Sequence, residues 1–179
     1  AGAQGGRRLR LGLRRGAAGR SVVSPASPPG VGAAAPPLAL QDEHGQQVSL
    51  ADYRGRKHVL LVFYPFAFSG ICTEELGSVR DDLGRYQNDR VQVLAISCDP
   101  MFTLRAWAER EEFEFPLLSD FWPHGGAARA YGVFHDRGGF ATRGTFLLDR
   151  DGVIRWTLVH EPGEARDLAS CHQALADLG

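Results

Sequence analysis

The chain predicts an α/β sandwich, a central mixed sheet flanked by helices, and three observations carry that prediction. His58-Val59-Leu60-Leu61-Val62-Phe63-Tyr64 and Val91–Ser97 are continuous apolar runs of strand length, as expected of strands buried on both faces. Each is followed by a segment with apolar residues at helical spacing, so strand and helix alternate. A hairpin pattern and a last amphipathic segment then close the chain.

In order, Leu38–Leu40 and Val48–Leu50 flank the turn-forming Asp42-Glu43-His44-Gly45 and predict a first hairpin. The strand 58–64 follows, stopped by Pro65. Cys72, Leu76, Val79, Leu83 and Tyr86 are spaced 4, 3, 4, 3, which predicts one helix over 72–87. After Val91–Ser97 and Cys98-Asp99-Pro100, a helix with Leu104, Trp107 and Ala108 on one side runs to about Glu112. Phe115-Pro116-Leu117-Leu118 predicts a short strand with proline at its edge. Ala127–Tyr131 predicts a short helix stopped by Gly132, and Gly144–Leu148 pairs with Val153–His160 around Asp149-Arg150-Asp151-Gly152. A final helix over Glu164–Leu178 is expected to bury Leu168, Cys171, Leu175 and Leu178.

At 179 residues the chain is one domain by length, able to bury a core without disulfides. Its three cysteines form no Cys-x-x-Cys pair and no even-numbered framework. A reducing compartment, and so a cytoplasmic protein, is expected. No run approaches the ~18 apolar residues of a membrane span. The net charge of −1 hides an asymmetry: residues 1–30 hold six arginines and no acid, leaving 14 of the 20 basic residues against 21 acidic ones. The remainder is therefore at a formal −7, a poor nucleic-acid binder. The first thirty residues show no apolar periodicity and read as a disordered Arg/Gly/Ala-rich extension, with the domain pattern starting at Val31. Their Arg- and Ser-rich, acid-poor content also suits a transit peptide, and a misplaced start in a GC-rich genome is the third reading. Six histidines lie scattered without ligand spacing, and Gly30-Val31-Gly32 opens no helix, so neither a metal nor a nucleotide cofactor is expected.

The informative stretch is Tyr64-Pro65-Phe66-Ala67-Phe68-Ser69-Gly70-Ile71-Cys72-Thr73-Glu74-Glu75. It places Cys72 in the first turn of a helix directly after a central strand, where free backbone N–H groups and the helix dipole favour an anion. Ser69 reads as an N-cap or as a donor to a ligand, and Cys72 as a core thiol or as a nucleophile. Pro65-x-x-x-Ser69-x-x-Cys72 resembles the Pro-x-x-x-Thr/Ser-x-x-Cys signature of the peroxiredoxins, thiol peroxidases built on a thioredoxin-like fold. More narrowly, the chain resembles the one-cysteine, E-type alkyl hydroperoxide reductases of actinobacteria. The likeness extends to Val31-Gly32-x-x-Ala35-Pro36, to Phe115-Pro116-Leu117-Leu118-Ser119-Asp120-Phe121-Trp122-Pro123-His124-Gly125 and to Arg143-Gly144-Thr145-Phe146, and so covers residues 31–179.

The resemblance implies reduction of hydrogen peroxide or organic hydroperoxides by Cys72, which becomes a sulfenic acid. It implies that Ser69 hydrogen-bonds the peroxide and that Arg143 pairs with the thiolate and polarises the substrate. It further implies that Pro65 shields the sulfur and that Glu75 supports the arginine. On the residues alone, Arg143 is equally an exposed strand-end charge and Glu75 a first-turn acid complementing the dipole. Phe66 and Phe68 are expected to line an apolar mouth, with backbone N–H groups near Ile71 and Cys72 receiving the leaving oxygen. A free cysteine is about 3% thiolate at pH 7, so full ionisation gains only about thirtyfold. Positioning and donors must supply the larger part.

The resemblance puts an internal resolving cysteine five residues after Cys72, where this chain has Gly77, and no C-terminal resolving arm is expected beyond Gly179. Cys98 and Cys171 read as core thiols, with a resolving role as the other reading. The resemblance thus implies an external thiol reductant, mycothiol with mycoredoxin or a thioredoxin type, and a homodimer. A peroxide sensor that relays oxidation to a protein partner is the alternative function.

Overall fold

The structure, a computed structural model, describes Gly2 and residues 27–179. The expectation for residues 1–30 therefore lies almost wholly outside the described residues. In chain order the strands are β1 (Ala39–Gln41), β2 (Gln47–Ser49), β3 (His58–Phe63), β4 (Val91–Ser97), β5 (Leu117–Ser119), β6 (Phe134–His135), β7 (Phe140–Ala141), β8 (Arg143–Leu148) and β9 (Ile154–His160). The helices are α1 (Gly70–Asp81), α2 (Leu83–Tyr86), α3 (Met101–Glu111), α4 (Gly126–Ala130) and α5 (His172–Asp177).

Seven strands form one sheet in the order β2-β1-β5-β4-β3-β8-β9. β3, β4 and β5 run parallel, while β8 and β9 return antiparallel, so the sheet is mixed. Every residue of β3, β4 and β8 is buried, which explains why these strands read as unbroken apolar runs rather than alternations. Alternate side chains feed two cores. Leu60, Val62, Val93, Ala95 and Leu147 face α1 and α3. Val59, Leu61, Phe63, Leu94 and Phe146 face the opposite layer with Ala128, Tyr131 and Val133. This is the thioredoxin-like sandwich that the element order implied.

Two expected helices are corrected. The helix expected over 72–87 starts earlier, at Gly70, and is broken at Asp82, whose φ of −125° and ψ of 38° leave the helical region. Asp82 instead takes the N-cap position of α2, where its carbonyl accepts the Arg85 N–H and its carboxylate pairs with the Arg85 side chain. The apolar stripe survives the break: Leu76, Val79 and Tyr86 enter one core, with Leu83 packed against it. The helix expected over Glu164–Leu178 exists only as a 3₁₀ turn at Leu168–Cys171 followed by α5. Residues 161–167 are drawn out of helix because buried side chains take their backbone groups. Arg143 Nε donates to the Pro162 carbonyl at 2.9 Å, and the Arg166 N–H donates to Glu75 Oε1 at 2.8 Å. Asp167 then caps the restart by accepting the Ala169 N–H. Leu168 and Cys171 are buried as expected, while Leu175 and Leu178 are only partly so. The β6–β7 hairpin was not anticipated, since two-residue strands carry no period.

Gly144, in β8, lies against the core that contains Val133 and Phe146. A Cβ there would lie 2.6 Å from Val133 Cγ1 and 3.1 Å from Phe146 Cε2. Gly144→Ala should cost about 1–3 kcal/mol of stability by overpacking, read from urea unfolding.

His58 opens β3 buried, with neither ring nitrogen hydrogen-bonded among the described residues. Burial lowers its pKa, Arg150 and Arg90 lower it further, and Asp149 opposes them. The unfolded imidazole, near 6.5, therefore binds its proton before the folded one does. Stability present above about pH 6.5 should be lost as pH falls toward the folded pKa. His58→Phe should flatten this acid slope in urea midpoints measured against pH.

Candidate active site

Parallel pairing brings the carboxyl ends of β3 and β4 together, and ligands gather at such ends in α/β sheets. Tyr64, just past β3, donates its N–H to the Ile96 carbonyl of β4. On the other side Val62 pairs with Thr145, so continuing that antiparallel register brings Arg143 level with Tyr64. The chain then passes through Pro65–Ser69 and enters α1. Ser97, Arg143 and the start of α1 are thus gathered at one end of the sheet, from segments far apart in sequence.

Ser69 is the N-cap residue of α1 by backbone conformation, and its carbonyl accepts the Thr73 N–H at 2.9 Å. Its hydroxyl makes no capping bond and is buried without a hydrogen-bond partner among the described residues. The capping reading of its side chain is therefore not what the structure shows. Cys72, the third residue of α1, is fully buried among Tyr64, Leu76, Trp107 and Leu147, and Pro65 is buried in the loop ahead of it. Ile71 is partly exposed at the mouth. Phe66 and Phe68 are close to half exposed, Phe66 against Phe140 at 4.7 Å between ring centroids and Phe68 against Trp107 at 6.2 Å.

Glu75 lies one turn after Cys72 and is 5% exposed, and Arg143 is 2% exposed. The reading of Arg143 as an exposed charge is thereby excluded. Its Nη1 donates to Glu75 Oε2 at 2.5 Å. A second guanidinium shares that carboxylate: Arg166 Nη2 is 3.4 Å from Glu75 Oε2, and Arg166 Nη1 donates to the Gly144 carbonyl and the Thr145 hydroxyl. Burial lowers the Arg166 pKa to about 10, against the pull of Glu75 and of Cys72 and with the push of Arg143. It thus stays charged at neutral pH. Two cations and one carboxylate leave this buried cluster with a formal charge of +1, an environment that calls for one more anion.

Arg166 is the residue that sequence reasoning missed. It lay off the apolar stripe of the expected final helix, where arginine is ordinary, and no local pattern distinguishes it. The other two cysteines are buried as Cys72 is, but neither opens α1. Burial pushes the Cys98 thiol up to about 12 and the Cys171 thiol up to about 11.

Among the described residues no group of three or more His, Cys, Asp or Glu is placed to hold a metal ion. A cavity of about 500 Å³ lined by Leu38, Leu50, Tyr53 and Val59 lies at the opposite end of β3 from Cys72, away from the ion cluster. No helix among the described residues is long and apolar enough to cross a membrane.

A thioredoxin-like sheet with a cysteine opening the helix after a central strand, one turn before a carboxylate that two buried arginines share, belongs to a chain of the thiol-dependent peroxidase class. The family model described as AhpC/TSA matches residues 31–157, and the chain belongs to that family. It is 52% identical over 148 residues to alkyl hydroperoxide reductase E of Mycobacterium tuberculosis, covering 83% of this chain and 97% of that one. It is 31% identical over 150 residues to the chloroplastic 2-Cys peroxiredoxin BAS1 of Hordeum vulgare, covering 78% and 70%. Among solved structures, the peroxidoxin BcpB of M. tuberculosis superposes with a TM-score of 0.71 at 30% identity, covering 83% and 95%. The protein is a peroxiredoxin, similar to alkyl hydroperoxide reductase E, that reduces peroxides at the expense of a thiol.

Removing the shared carboxylate leaves two buried cations uncompensated. Glu75→Ala should lose about 3–5 kcal/mol, and Glu75→Gln less, because its amide oxygen still accepts the Arg166 N–H. Urea unfolding of both variants measures the difference.

Proposed function

We propose that Cys72 is the peroxidatic nucleophile of this enzyme, working by a one-cysteine mechanism with Ser69 and Arg143. The observation that supports it most is the Arg143–Glu75–Arg166 cluster, a buried group of net positive formal charge whose carboxylate lies one helical turn after Cys72. The Cys72 thiolate supplies the missing anion. It attacks one peroxide oxygen, the S–O bond forms as the O–O bond breaks, and the electron pair leaves on the second oxygen as hydroxide or alkoxide. That oxygen takes up a proton to become water or alcohol, and the sulfur, oxidised by two electrons, becomes a sulfenic acid.

The unpaired Ser69 hydroxyl is the donor free to turn to the peroxide, and Arg143 stabilises charge as it moves to the leaving oxygen. Pro65 keeps bulk water from the sulfur, and Phe66, Phe68 and Ile71 form the mouth that meets an organic hydroperoxide. Because Cys72 is fully buried, substrate entry requires movement of the Pro65–Ser69 loop.

Cys98 and Cys171 are held as thiols by burial, and a thiol attacks a sulfenic acid poorly. An external thiol therefore completes the cycle, mycothiol with mycoredoxin or a thioredoxin-type protein. The homodimer reading is supported by exposed aromatics next to the site: Phe121 and Trp122, then His124 against Phe134, then Phe140 against Phe66. Three free cysteines suit a reducing, cytoplasmic location.

Stopped-flow Trp fluorescence with hydrogen peroxide and an alkyl hydroperoxide, followed by mass spectrometry at each cysteine, tests this reading. Oxidation should be fast and confined to Cys72, and Cys72→Ser should abolish it. Slow wild-type oxidation would defeat the assignment, and rapid oxidation without turnover by any small thiol or redoxin would favour the sensor. Arg143→Ala should slow peroxide reduction at least tenfold more than iodoacetamide alkylation, since only the peroxide needs an oxygen polarised. Analytical ultracentrifugation reads the oligomeric state.

A further inference from the structure

Between the shielding proline and the serine, the loop contains a residue in a costly conformation. Phe68 has φ +63°, in the left-handed region that a bulky side chain rarely occupies. Such a conformation persists only if the surroundings over-determine it, so the contacts of this loop are informative.

From the side, the Phe68 ring is held between Trp107 at 6.2 Å and the Arg110 guanidinium, 5.8 Å from its centroid. Those contacts leave the ring close to half exposed and do not restrain the backbone. The backbone restraint comes from Asp99, 32 residues away at the end of β4. Its Oδ2 accepts the Ala67 N–H at 2.8 Å and the Ser97 hydroxyl at 2.8 Å. Asp99 is itself fixed, for its N–H donates to Ser97 Oγ at 3.3 Å and its carbonyl accepts the Ser119 hydroxyl at 2.7 Å. One carboxylate oxygen thus joins the end of β4 to the residue two before Ser69, and the Asp99 carbonyl adds a bond to the end of β5.

We propose that Asp99 is a positioning residue for peroxide reduction: by holding the Ala67 N–H it sets the loop conformation that keeps the Ser69 hydroxyl turned inward and unpaired. The inference rests on the assignment of Cys72 and Ser69 above. Ala67 is followed by the left-handed Phe68 and then by Ser69, so a released Ala67 lets Phe68 relax and rotates the peptide that carries Ser69. The sulfur, held by α1 and the core, does not depend on this tether. Loss of Asp99 therefore has opposite effects on two reactions of one thiol. Peroxide reduction loses an aimed donor, whereas alkylation, which uses no such donor, gains access as the loop loosens.

The experiment compares wild type, Asp99→Ala and Asp99→Asn, each checked for folding by near-UV circular dichroism. Asp99→Ala should reduce the rate constant for hydrogen peroxide roughly 10–100-fold, the scale of a misplacement near 1 Å, while iodoacetamide alkylation of Cys72 is unchanged or faster. Asp99→Asn, whose amide oxygen still accepts the Ala67 N–H, should stay within about threefold of wild type for both reactions. Equal loss of both reactions in Asp99→Ala, no loss of peroxide reduction, or an Asn variant as impaired as the Ala variant would each overturn the proposal. Amide hydrogen exchange on the wild type is independent of any variant: the Ala67 amide should be protected above other amides of its loop, and unprotected exchange would refute the tether. Failure of the Cys72 assignment itself looks different, because wild type would then form no sulfenic acid at Cys72.

Discussion

One carboxylate shared by two arginines, all three nearly removed from water, is the constraint on which the site depends. Desolvating three charges is expensive, and Coulomb attraction alone does not repay it. Here further hydrogen bonds offset part of that cost: Glu75 Oε1 takes a backbone N–H, Arg143 reaches the Pro162 carbonyl, and Arg166 Nη1 reaches Gly144 and Thr145, while Arg166 Nε and Nη2 have no hydrogen-bond partner among the described residues. The cluster ties α1 to β8 and to the segment after β9. It also leaves a net positive formal charge buried one helical turn from Cys72.

The sheet explains why these groups meet. Parallel β3 and β4 end together, and antiparallel β8 begins where they end. A residue at the start of β8 is therefore a neighbour of the loop leaving β3, although about eighty residues of chain separate them. The same end of the sheet supplies Asp99, which accepts the Ala67 N–H of the loop, and Ser97 and Ser119, which donate to Asp99. The sulfur has an electrostatic frame on one side and a hydrogen-bonded loop on the other. The frame is buried, whereas Phe66 and Phe68 of the loop are close to half exposed.

Much of this was legible in the chain. Strands buried on both faces leave apolar runs, so β3 and β4 stood out, and their neighbours followed from helical spacing and turn chemistry. Cys72, Ser69, Pro65, Glu75 and Arg143 were recognised as a resemblance to a family pattern, and the structure adds the direct contact between Glu75 and Arg143. The continuity of the helix through Asp82 and the last helix over Glu164–Leu178 were misread. Periodicity reports which side chains face the core, and in both segments it did so for Leu76, Val79, Leu168 and Cys171. It does not report where backbone groups find better partners elsewhere.

By itself the sequence determined the alternation of strands and helices, the two-sided burial of the central sheet and the cysteine's position at a helix start, because these are local patterns of apolar and turn residues. Only the tertiary structure decided that Arg166 leaves a helix to join Glu75, that the serine hydroxyl stays unpaired, and that Asp99 reaches across to the loop. Each depends on a partner supplied by a distant segment, and the energy of a buried charge or donor is set by that partner rather than by its neighbours in the chain.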